Sequence, residues 1–296
     1  MKLSHRLESV ALHGVASLAR SLSHSQALGL GALLGSTVQS LGVRAKVARA
    51  NLARAFPDAP AARRAAILTA HYRELGRVAC EYPRLPELVR APFGEVMAAT
   101  RGVEHLDAAA RDGRGAIILT AHYGAFEFGG AWIGQRHPTS FVVQGISNPS
   151  VDAWVTALRH RAGIGTLRLG ESRGIVRALR ENRFVAMLAD QDARRAGVFV
   201  PFFGSPASTP RGPAALALRA RVPLLMGWVT RRDDGRLELE ILPKLEVPDP
   251  DAPDAVSRLT ALHVALLEDR VRAAPEPWFW LHRRWKTPPP PLAEEK

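Results

Sequence analysis

The chain has 296 residues and a formal net charge of +12 at pH 7; 47% of its residues are hydrophobic and 23% are charged. This composition is that of a globular protein and excludes a disordered chain. The single cysteine, Cys80, excludes an intrachain disulfide and a zinc site built from cysteines. The excess of arginine indicates an anionic partner, such as membrane lipid, nucleic acid or an acidic protein, although codon usage also produces Arg-rich chains.

The first 95 residues are predicted to be helical. Apolar residues recur at helical spacing between residues 4 and 42, where Gly29, Gly31 and Gly35 would permit close helix approach or mark a break. Residues 21–43 carry no charged side chain but contain several Ser and Gln residues. We therefore expect a helical hairpin that packs on the protein or lies on a membrane surface, with a single membrane span as the alternative.

Two more helices complete this region. Residues 43–56 form a basic amphipathic helix that ends before Pro57, and its cations either meet anionic headgroups or form a solvated face. A long helix is predicted from Ala61 to Pro83.

The motif with the clearest chemical content lies in residues 116–130, AIILTAHYGAFEFGG. Its apolar, β-branched beginning, residues 116–120, predicts a buried strand, and the segment from Ala125 predicts a packed helix. His122 falls in the loop between them. Five residues on one helix turn through roughly 500°, so Glu127 reaches His122 only if His122 lies in the loop and Glu127 in the first helical turn. Such a pair is a plausible general base. On spacing alone, however, a His near a Glu is more often structural.

Strands and helices alternate through the remainder of the chain. Strands are predicted at residues 139–144, 166–169, 184–188, 198–203, 223–229 and 237–242, and helices at 150–162, 172–181, 213–221 and 254–273. The last two strands pair across the Asp233-Asp234-Gly235 turn. This alternation predicts an α/β fold.

Two further groups of polar residues are candidates for a site. Arg159 and Arg161 end a predicted helix, where they either bind an anion or stabilise the helix terminus, and their spacing brings only one of them into the site. Asp190, Gln191 and Asp192 follow a strand end, where α/β folds place active-site loops. Two carboxylates are too few for a hard-cation site, so no metal is expected.

These motifs, in this order, resemble the late acyltransferases of lipid A biosynthesis, within the wider glycerolipid acyltransferase superfamily. In that superfamily a His-x4-Asp/Glu block deprotonates an acceptor hydroxyl, and residues 122–127, HYGAFE, have this form. Further matching blocks are the R…NL…FP segment at 44–57, the NP…L…R-x-R…G segment at 148–163, the DQD…GVFVPFFG…T…G segment at 190–212 and the WLHRRWK segment at 280–286. Gln144 departs from the pattern, because the family commonly has an arginine there.

The resemblance implies an α/β core with a mixed sheet flanked by helices at residues 96–287. A membrane-associating helical region, residues 1–95, would precede it, and a Pro-rich tail, residues 288–296, would follow. The resemblance assigns the catalytic base to His122, oriented by Glu127. Substrate-binding roles fall on Asn148, Arg159, Arg161, Asp190, Gln191, Phe202, Thr209 and Arg211. The tryptophans of the closing block would lie at a membrane interface or, for Trp280, in the core.

We therefore predict a bacterial enzyme at the cytoplasmic face of the inner membrane, held peripherally or by one N-terminal anchor. It would need no cofactor and would move a fatty acyl chain from acyl carrier protein or coenzyme A to a hydroxyl of a lipid A precursor or related glycolipid. Other acceptors are a lysophospholipid, an ornithine lipid or another glycolipid. A non-catalytic basic protein that binds membrane or nucleic acid is the alternative of a different class, although no nucleic-acid partner is expected.

Overall fold

The N-terminal region is almost entirely helical, as predicted. The structure is a computed structural model that describes residues 3–290. The N-terminal helices are α1 (Leu3–Ser21), α2 (His24–Ser40), α3 (Ala45–Ala55), α4 (Ala61–Glu81) and α5 (Leu85–Leu88). A 3-10 turn, Tyr82–Arg84, joins α4 to α5 at Pro83, whose ring is incompatible with a continuing α-helix.

Strands and helices alternate after residue 96. The strands are β1 (Met97–Arg101), β2 (Ala116–Thr120), β3 (Thr139–Val143), β4 (Ile164–Arg168), β5 (Phe184–Leu188), β6 (Val198–Phe202), β7 (Ser205–Thr209), β8 (Leu224–Arg231) and β9 (Leu237–Ile241). The helices are α6 (Val103–Arg111), α7 (Phe126–Gly134), α8 (Pro149–Arg161), α9 (Ser172–Arg180), α10 (Gly212–Ala220) and α11 (Ala255–Ala273). The predicted α/β fold with an N-terminal helical extension is confirmed.

Seven of the strands form one mixed sheet in the order β1-β9-β8-β2-β5-β3-β4. Strands β8, β2, β5, β3 and β4 are mutually parallel, whereas β9 and β1 run in the opposite direction. The predicted hairpin between β8 and β9 is present and antiparallel. The register aligns Thr120 with Leu188, so β2 and β5 end side by side and the residues after them share one edge of the sheet.

Alternate side chains of the central strands build a core on each face of the sheet. Ala116 and Ile118 of β2 face α5, α6 and α7 on what we call the first face. Ile117 and Leu119 face α9, α10 and α11 on the second face. A third apolar cluster joins α3 and α4 to the β6–β7 hairpin and to the C-terminal segment that contains Trp278 and Trp280. The helical region is therefore packed on the sheet domain.

Strand β7 was not predicted from the sequence. It contains Pro206 and small polar residues of low strand propensity, so it resembles a loop. Phe203 and Gly204 both have positive φ angles, 50° and 68°, and so form the two-residue turn that lets β7 fold back antiparallel to β6.

Helices α2 and α4 cross with their backbones in close contact. A Cβ atom on Gly31 would lie 2.5 Å from the carbonyl oxygen of Gly76, and one on Gly35 would lie 1.9 Å from that of Tyr72. Of the two outcomes considered for these glycines, close helix approach is therefore the one observed. Within residues 3–290, no helix combines the length and the hydropathy needed to cross a bilayer. Residues 291–296 of the predicted tail lie outside the described residues.

Candidate active site

The loop after β2 holds His122 at the carboxyl edge of the sheet. Gly124 in this loop has a φ of +55°, and a Cβ there would lie 2.2 Å from the carbonyl oxygen of Val229, so glycine lets the loop pass close to β8. The Gly124 N–H donates to the Pro277 carbonyl at 3.0 Å, and the Phe279 N–H donates to the His122 carbonyl at 2.9 Å. The C-terminal segment thus fixes the backbone of His122.

Asp190 is the carboxylate that holds the imidazole of His122. It lies two residues after β5, whose end is next to the end of β2. Its Oδ1 lies 2.8 Å from Nδ1 of His122, and its Oδ2 accepts hydrogen bonds from the His122 backbone N–H at 3.0 Å and from the Trp278 indole at 3.1 Å. Because an ionised carboxylate only accepts hydrogen bonds, Nδ1 carries the proton and Nε2 has a free lone pair.

Burial and charge act in opposite directions on this pair. Burial is the largest single effect and lowers the pKa of His122, but the charge and hydrogen bond of Asp190 and the charge of Glu127 together raise it above its ordinary value. Burial raises the pKa of Asp190, and the charge and hydrogen bonds of His122 together with the charge of Arg284 hold it below its ordinary value. An ionised Asp190 thus stabilises a protonated His122.

The reactive nitrogen of His122 lies in an open, partly aromatic setting. The His122 side chain is 33% exposed, whereas that of Asp190 is 2% exposed. The rings of Phe126 and Phe279 lie 5.5 and 6.0 Å from the imidazole, and the Gln191 amide nitrogen lies 3.5 Å from Nε2. At 3.5 Å the Gln191 contact is too long to be a strong hydrogen bond, so Nε2 is available to a proton on an incoming group.

Glu127 has a different partner from the one predicted. It does lie in the first turn of α7, but among the described residues its carboxylate is hydrogen-bonded to Arg159 of α8, to Nε at 3.1 Å and also to an Nη nitrogen. The expected contact between Glu127 and the imidazole is not observed, because the neighbouring strand brings Asp190 to Nδ1. Glu127 still affects His122 through its charge. Both members of the Glu127–Arg159 pair are largely buried, with side chains 8% and 15% exposed.

The other predicted binding residues lie in three different settings. Gln191 lies beside His122, whereas Arg211 is exposed at the start of α10 and Arg161 is exposed near Glu87. Asn148, Phe202 and Thr209 are buried and serve the packing. Asn148 caps the N-terminus of α8, and its side-chain amide donates to α1. Phe202 stacks on Trp285, and Thr209 accepts a hydrogen bond from Arg284.

Sequence reasoning missed the roles of three residues around the site. Trp278 is 1% exposed and donates to Asp190, and His282 accepts the Asp192 N–H through Nε2 at 3.0 Å. Arg284 is 1% exposed, donates to the Ser208 carbonyl, and burial lowers its pKa to about 10. Tryptophan 280 is fully buried, the core alternative considered above. The available sequence signal for His282 and Arg284 was the matched WLHRRWK block, since this segment follows α11 rather than a strand.

A small apolar cavity lies behind the imidazole, between α7 and the first face of the sheet. Its volume is ≈ 30 Å³, and its lining includes Phe126, Gly129, Gly130 and Phe141. The Phe126 ring also lies 5.5 Å from the imidazole of His122, so it stands between the cavity and His122. Gly129 and Gly130 let α7 pack closely here, because a Cβ atom would lie 2.5 Å from the Val229 side chain and 2.1 Å from the Phe141 ring.

An imidazole that is held by a buried carboxylate and keeps its other nitrogen free can act as a general base. Comparison with known proteins gives the class. The sequence model of bacterial lipid A biosynthesis acyltransferases matches residues 5–287, and the chain belongs to this family. The protein is an enzyme, an O-acyltransferase, and the resemblance described from the motifs is confirmed.

Relatives of two kinds are similar to the chain. The phosphatidylinositol mannoside acyltransferase of Mycobacterium tuberculosis (strain ATCC 25618 / H37Rv) is 30% identical over 247 residues, which cover 80% of this chain and 76% of that protein. The lipid A biosynthesis palmitoleoyltransferase of Escherichia coli (strain K12) is 28% identical over 270 residues, 88% of this chain and 85% of that protein. The lauroyltransferase of the same strain is 28% identical over 253 residues, 83% and 80% of the two chains.

Proposed function

We propose that the protein moves a fatty acyl chain from an acyl thioester to a hydroxyl of a lipid A precursor or a related glycolipid. The observation that carries this proposal is the His122–Asp190 pair, in which Nδ1 is held and Nε2 is free at an exposed edge of the sheet. The family and the similarity to lipid A acyltransferases support the substrate class.

His122 would act as a general base. Nε2 takes the proton of the acceptor hydroxyl while the oxygen attacks the thioester carbonyl carbon, and the positive charge formed on the imidazole is stabilised by Asp190. Collapse of the tetrahedral intermediate breaks the C–S bond, and the departing thiolate takes the proton from Nε2. No cofactor is required, because the donor is acyl carrier protein or coenzyme A carrying the chain as a thioester.

Glu127 and Arg159 would act together as a second charged pair beside the base. Glu127 supports the protonated state of His122 through its charge, and Arg159 compensates Glu127 while presenting guanidinium donors toward a developing oxyanion or an acceptor phosphate. The His122–Glu127 dyad of the sequence prediction thus becomes a group of four ionisable residues, in which Asp190 orients His122 and Arg159 pairs with Glu127.

The apolar cavity behind Phe126 supports an acyl substrate. At ≈ 30 Å³ it is narrow, so a fatty chain would enter only with rotation of Phe126 and its neighbours. The exposed residues Leu7, Val10 and Leu18 form an apolar stripe on α1, with side chains 64%, 72% and 50% exposed. Such a stripe fits peripheral attachment to the cytoplasmic face of the inner membrane, where the acceptor lipid would be met.

A mannosylated phospholipid is a second candidate acceptor. It is favoured by the 30% identity to a phosphatidylinositol mannoside acyltransferase over 80% of the chain. Mass spectrometry of the lipids of a deletion strain separates the two acceptors, because each loses one acyl group from a different lipid. Unchanged lipids with salt-sensitive binding to anionic vesicles or DNA would instead indicate a non-catalytic basic protein.

The base is tested with His122→Ala in an assay of acyl-thioester consumption and acylated lipid. We expect the rate per folded molecule to fall by about a thousandfold or more. The rate is referred to folded protein because the change also leaves the buried Asp190 carboxylate without its imidazole partner. His137→Ala is the matched control, because His137 also pairs with an aspartate, Asp107, at 3.0 Å but precedes β3 at the opposite edge. Full activity of the His122 variant would overturn the proposal.

The role of Glu127 is tested with Glu127→Gln, which keeps the shape of the side chain and removes its charge. We expect a rate loss of about tenfold to a hundredfold, because the protonated imidazole loses one of two supporting carboxylates. A loss as large as that of His122→Ala would favour a direct His122–Glu127 dyad in the substrate complex.

A further inference from the structure

A groove between α9 and α10 is a strongly basic concave surface. Its volume is ≈ 1130 Å³, and five arginines line it. They are Arg114, Arg173, Arg177, Arg180 and Arg219. All five are exposed, and no carboxylate belongs to the lining.

These arginines have no compensating charge in the part of the chain that the structure describes. None of the five takes part in an ion pair within residues 3–290, whereas arginines elsewhere, such as Arg231, Arg236 and Arg258, are paired with Asp or Glu. The nearest carboxylates along the chain, Asp112, Glu171 and Glu181, lie outside the lining. A concave surface of unpaired guanidinium groups attracts an anionic partner.

The arrangement on α9 is unfavourable for the isolated helix. Arg173, Arg177 and Arg180 occupy positions i, i+4 and i+7, so their like charges project from one helix face. Arg173 also lies in the first turn, where the helix dipole disfavours a cation, and that turn contains no acidic residue. A bound anionic partner would relieve both effects.

The groove extends to the active-site edge of the sheet. Helix α9 begins after the carboxyl end of β4, and α10 begins three residues after Thr209 of β7. The neighbouring Ser208 accepts the Ala193 N–H at 3.3 Å, which connects β7 to the loop that carries Asp190. Arg194, Arg195 and Arg211 lie on these same connecting segments and are exposed. One end of the groove therefore lies at the edge of the sheet that carries His122.

Its position favours a protein over a membrane as that partner. The groove lies on the second face of the sheet, where α9 and α10 cover Ile117 and Leu119. The apolar stripe of α1 lies on the opposite side, because α1 packs on α4 and α8 and α8 belongs with the helices of the first face. A membrane that receives the α1 stripe leaves the groove open to solvent, and a concave groove fits a convex protein surface better than a flat bilayer.

We propose that the α9–α10 groove docks an acidic carrier protein that presents the acyl chain as a thioester. This inference rests on the proposed function, since it identifies the donor for the same site. Acidic side chains of the carrier pair with the five arginines, and its thioester arm passes the start of α10 to reach His122. Such electrostatic docking acts mainly on association and weakens with salt.

The test reverses two charges of the groove with Arg173→Glu and Arg177→Glu. The matched control is Arg101→Glu with Arg111→Glu, which makes the same change in net charge at exposed positions of β1 and α6. With an acyl carrier protein loaded with a dodecanoyl thioester, we expect the groove variant to raise KM and the dissociation constant by about tenfold or more. Its kcat, its KM for dodecanoyl-coenzyme A and all constants of the control should stay near those of the unchanged protein.

Several results would overturn the proposal. These are equal carrier binding by the groove variant and the unchanged protein, an equal loss in the control, or a selective loss of binding to phosphatidylglycerol vesicles or duplex DNA with carrier binding intact. A carrier with two of its carboxylates changed to lysine should regain affinity for the groove variant, and failure to do so would also count against direct pairing.

The two proposals fail in different ways. If the groove variant loses carrier binding but the unchanged protein transfers no acyl chain to any lipid, the proposed function fails and the docking surface stands. If acyl transfer proceeds and charge reversal changes neither KM nor binding, the docking surface fails and the proposed function stands.

Discussion

Two buried ionic groups in this protein have opposite characters. At the junction between the N-terminal helices and the sheet, Arg231 of β8 pairs with Glu74 at 2.9 Å and with Glu81 at 2.9 Å, and His24 pairs with Glu81 at 2.9 Å. At the active-site edge, Asp190 is equally buried, but its partner His122 is one-third exposed and keeps one nitrogen free.

The difference separates a structural ion cluster from a reactive one. In the junction every charged group faces a partner, so the energy of removing the charges from water is offset within the protein. In the active site, Asp190 is bonded to Nδ1 of the imidazole, and Nε2 is left free to take a proton from a substrate. A perturbed pKa alone would not distinguish the two groups, whereas the unsatisfied, accessible nitrogen does.

The largest effect is expected from breaking the junction. Arg231→Met removes the cation and leaves Glu74 and Glu81 buried without their main partner, so the free energy of unfolding should fall by about 3–5 kcal/mol. Chemical denaturation measures this loss. The rate per folded molecule should stay near that of the unchanged protein, because Arg231 has no contact with His122 or Asp190.

Arg232→Met is the control for the junction. Arg232 is adjacent in sequence but 47% exposed in its ion pair with Glu238, so its loss should change the free energy of unfolding by about 0.5 kcal/mol or less. Similar losses for the two variants would contradict the distinction between a buried structural cluster and the protein surface.

Breaking the catalytic pair should have the opposite signature. Asp190→Asn removes the charge that stabilises the imidazolium and favours the wrong tautomer of His122, so kcat should fall by about a hundredfold or more. Steady-state rates with an acyl thioester measure this fall.

Asp192→Asn is the matched control for Asp190, two residues along the same loop. Its carboxylate accepts from Thr287 at 3.0 Å and from the Arg194 N–H, and it has no hydrogen bond with His122. A similar loss of kcat in both variants would show that kcat depends on the structure of the loop rather than on the charge of Asp190.

The smallest effect is a shift of the pH profile. Because the pKa of His122 is raised above its ordinary 6.5, the neutral base is lost as pH falls through that raised value, and the acid limb of kcat/KM should lie above pH 6.5. In Asp190→Asn the limb should move to lower pH. An unchanged limb would mean that another group controls the rate.

The same pair sets a pH window for stability. The raised pKa of His122 contributes stability that is present below pH 6.5 and lost as pH rises through the folded-state pKa. The lowered pKa of Asp190 contributes stability that is present above its ordinary 3.8 and lost as pH falls through the folded-state value. Both contributions are therefore present between these limits.

Local patterns were sufficient to predict most elements. Strands β2 and β5 are short apolar runs, and they match the predicted ranges residue for residue. Strand β7 could not be predicted in this way, because Pro206 and its small neighbours have no strand signal and the hairpin depends on two positive φ angles at residues 203 and 204.

The partner of His122 required long-range information. Sequence spacing favoured Glu127, five residues away, because a motif shows only residues that are close in sequence. The carboxylate in contact with Nδ1 is 68 residues away and becomes adjacent only because β2 and β5 pair in register. Motif resemblance had singled out Asp190, but as a binding residue, since strand order cannot be read from a single motif.

The junction at Arg231 also limits how this protein can be divided. A chain that began at residue 96 would keep a buried guanidinium whose two carboxylates belong to α4, and would uncover the α3 and α4 side of the third apolar cluster. The helical region and the sheet therefore form one structural unit and cannot be exchanged independently. A chimera that exchanges the N-terminal helices between relatives would have to exchange position 231 with them.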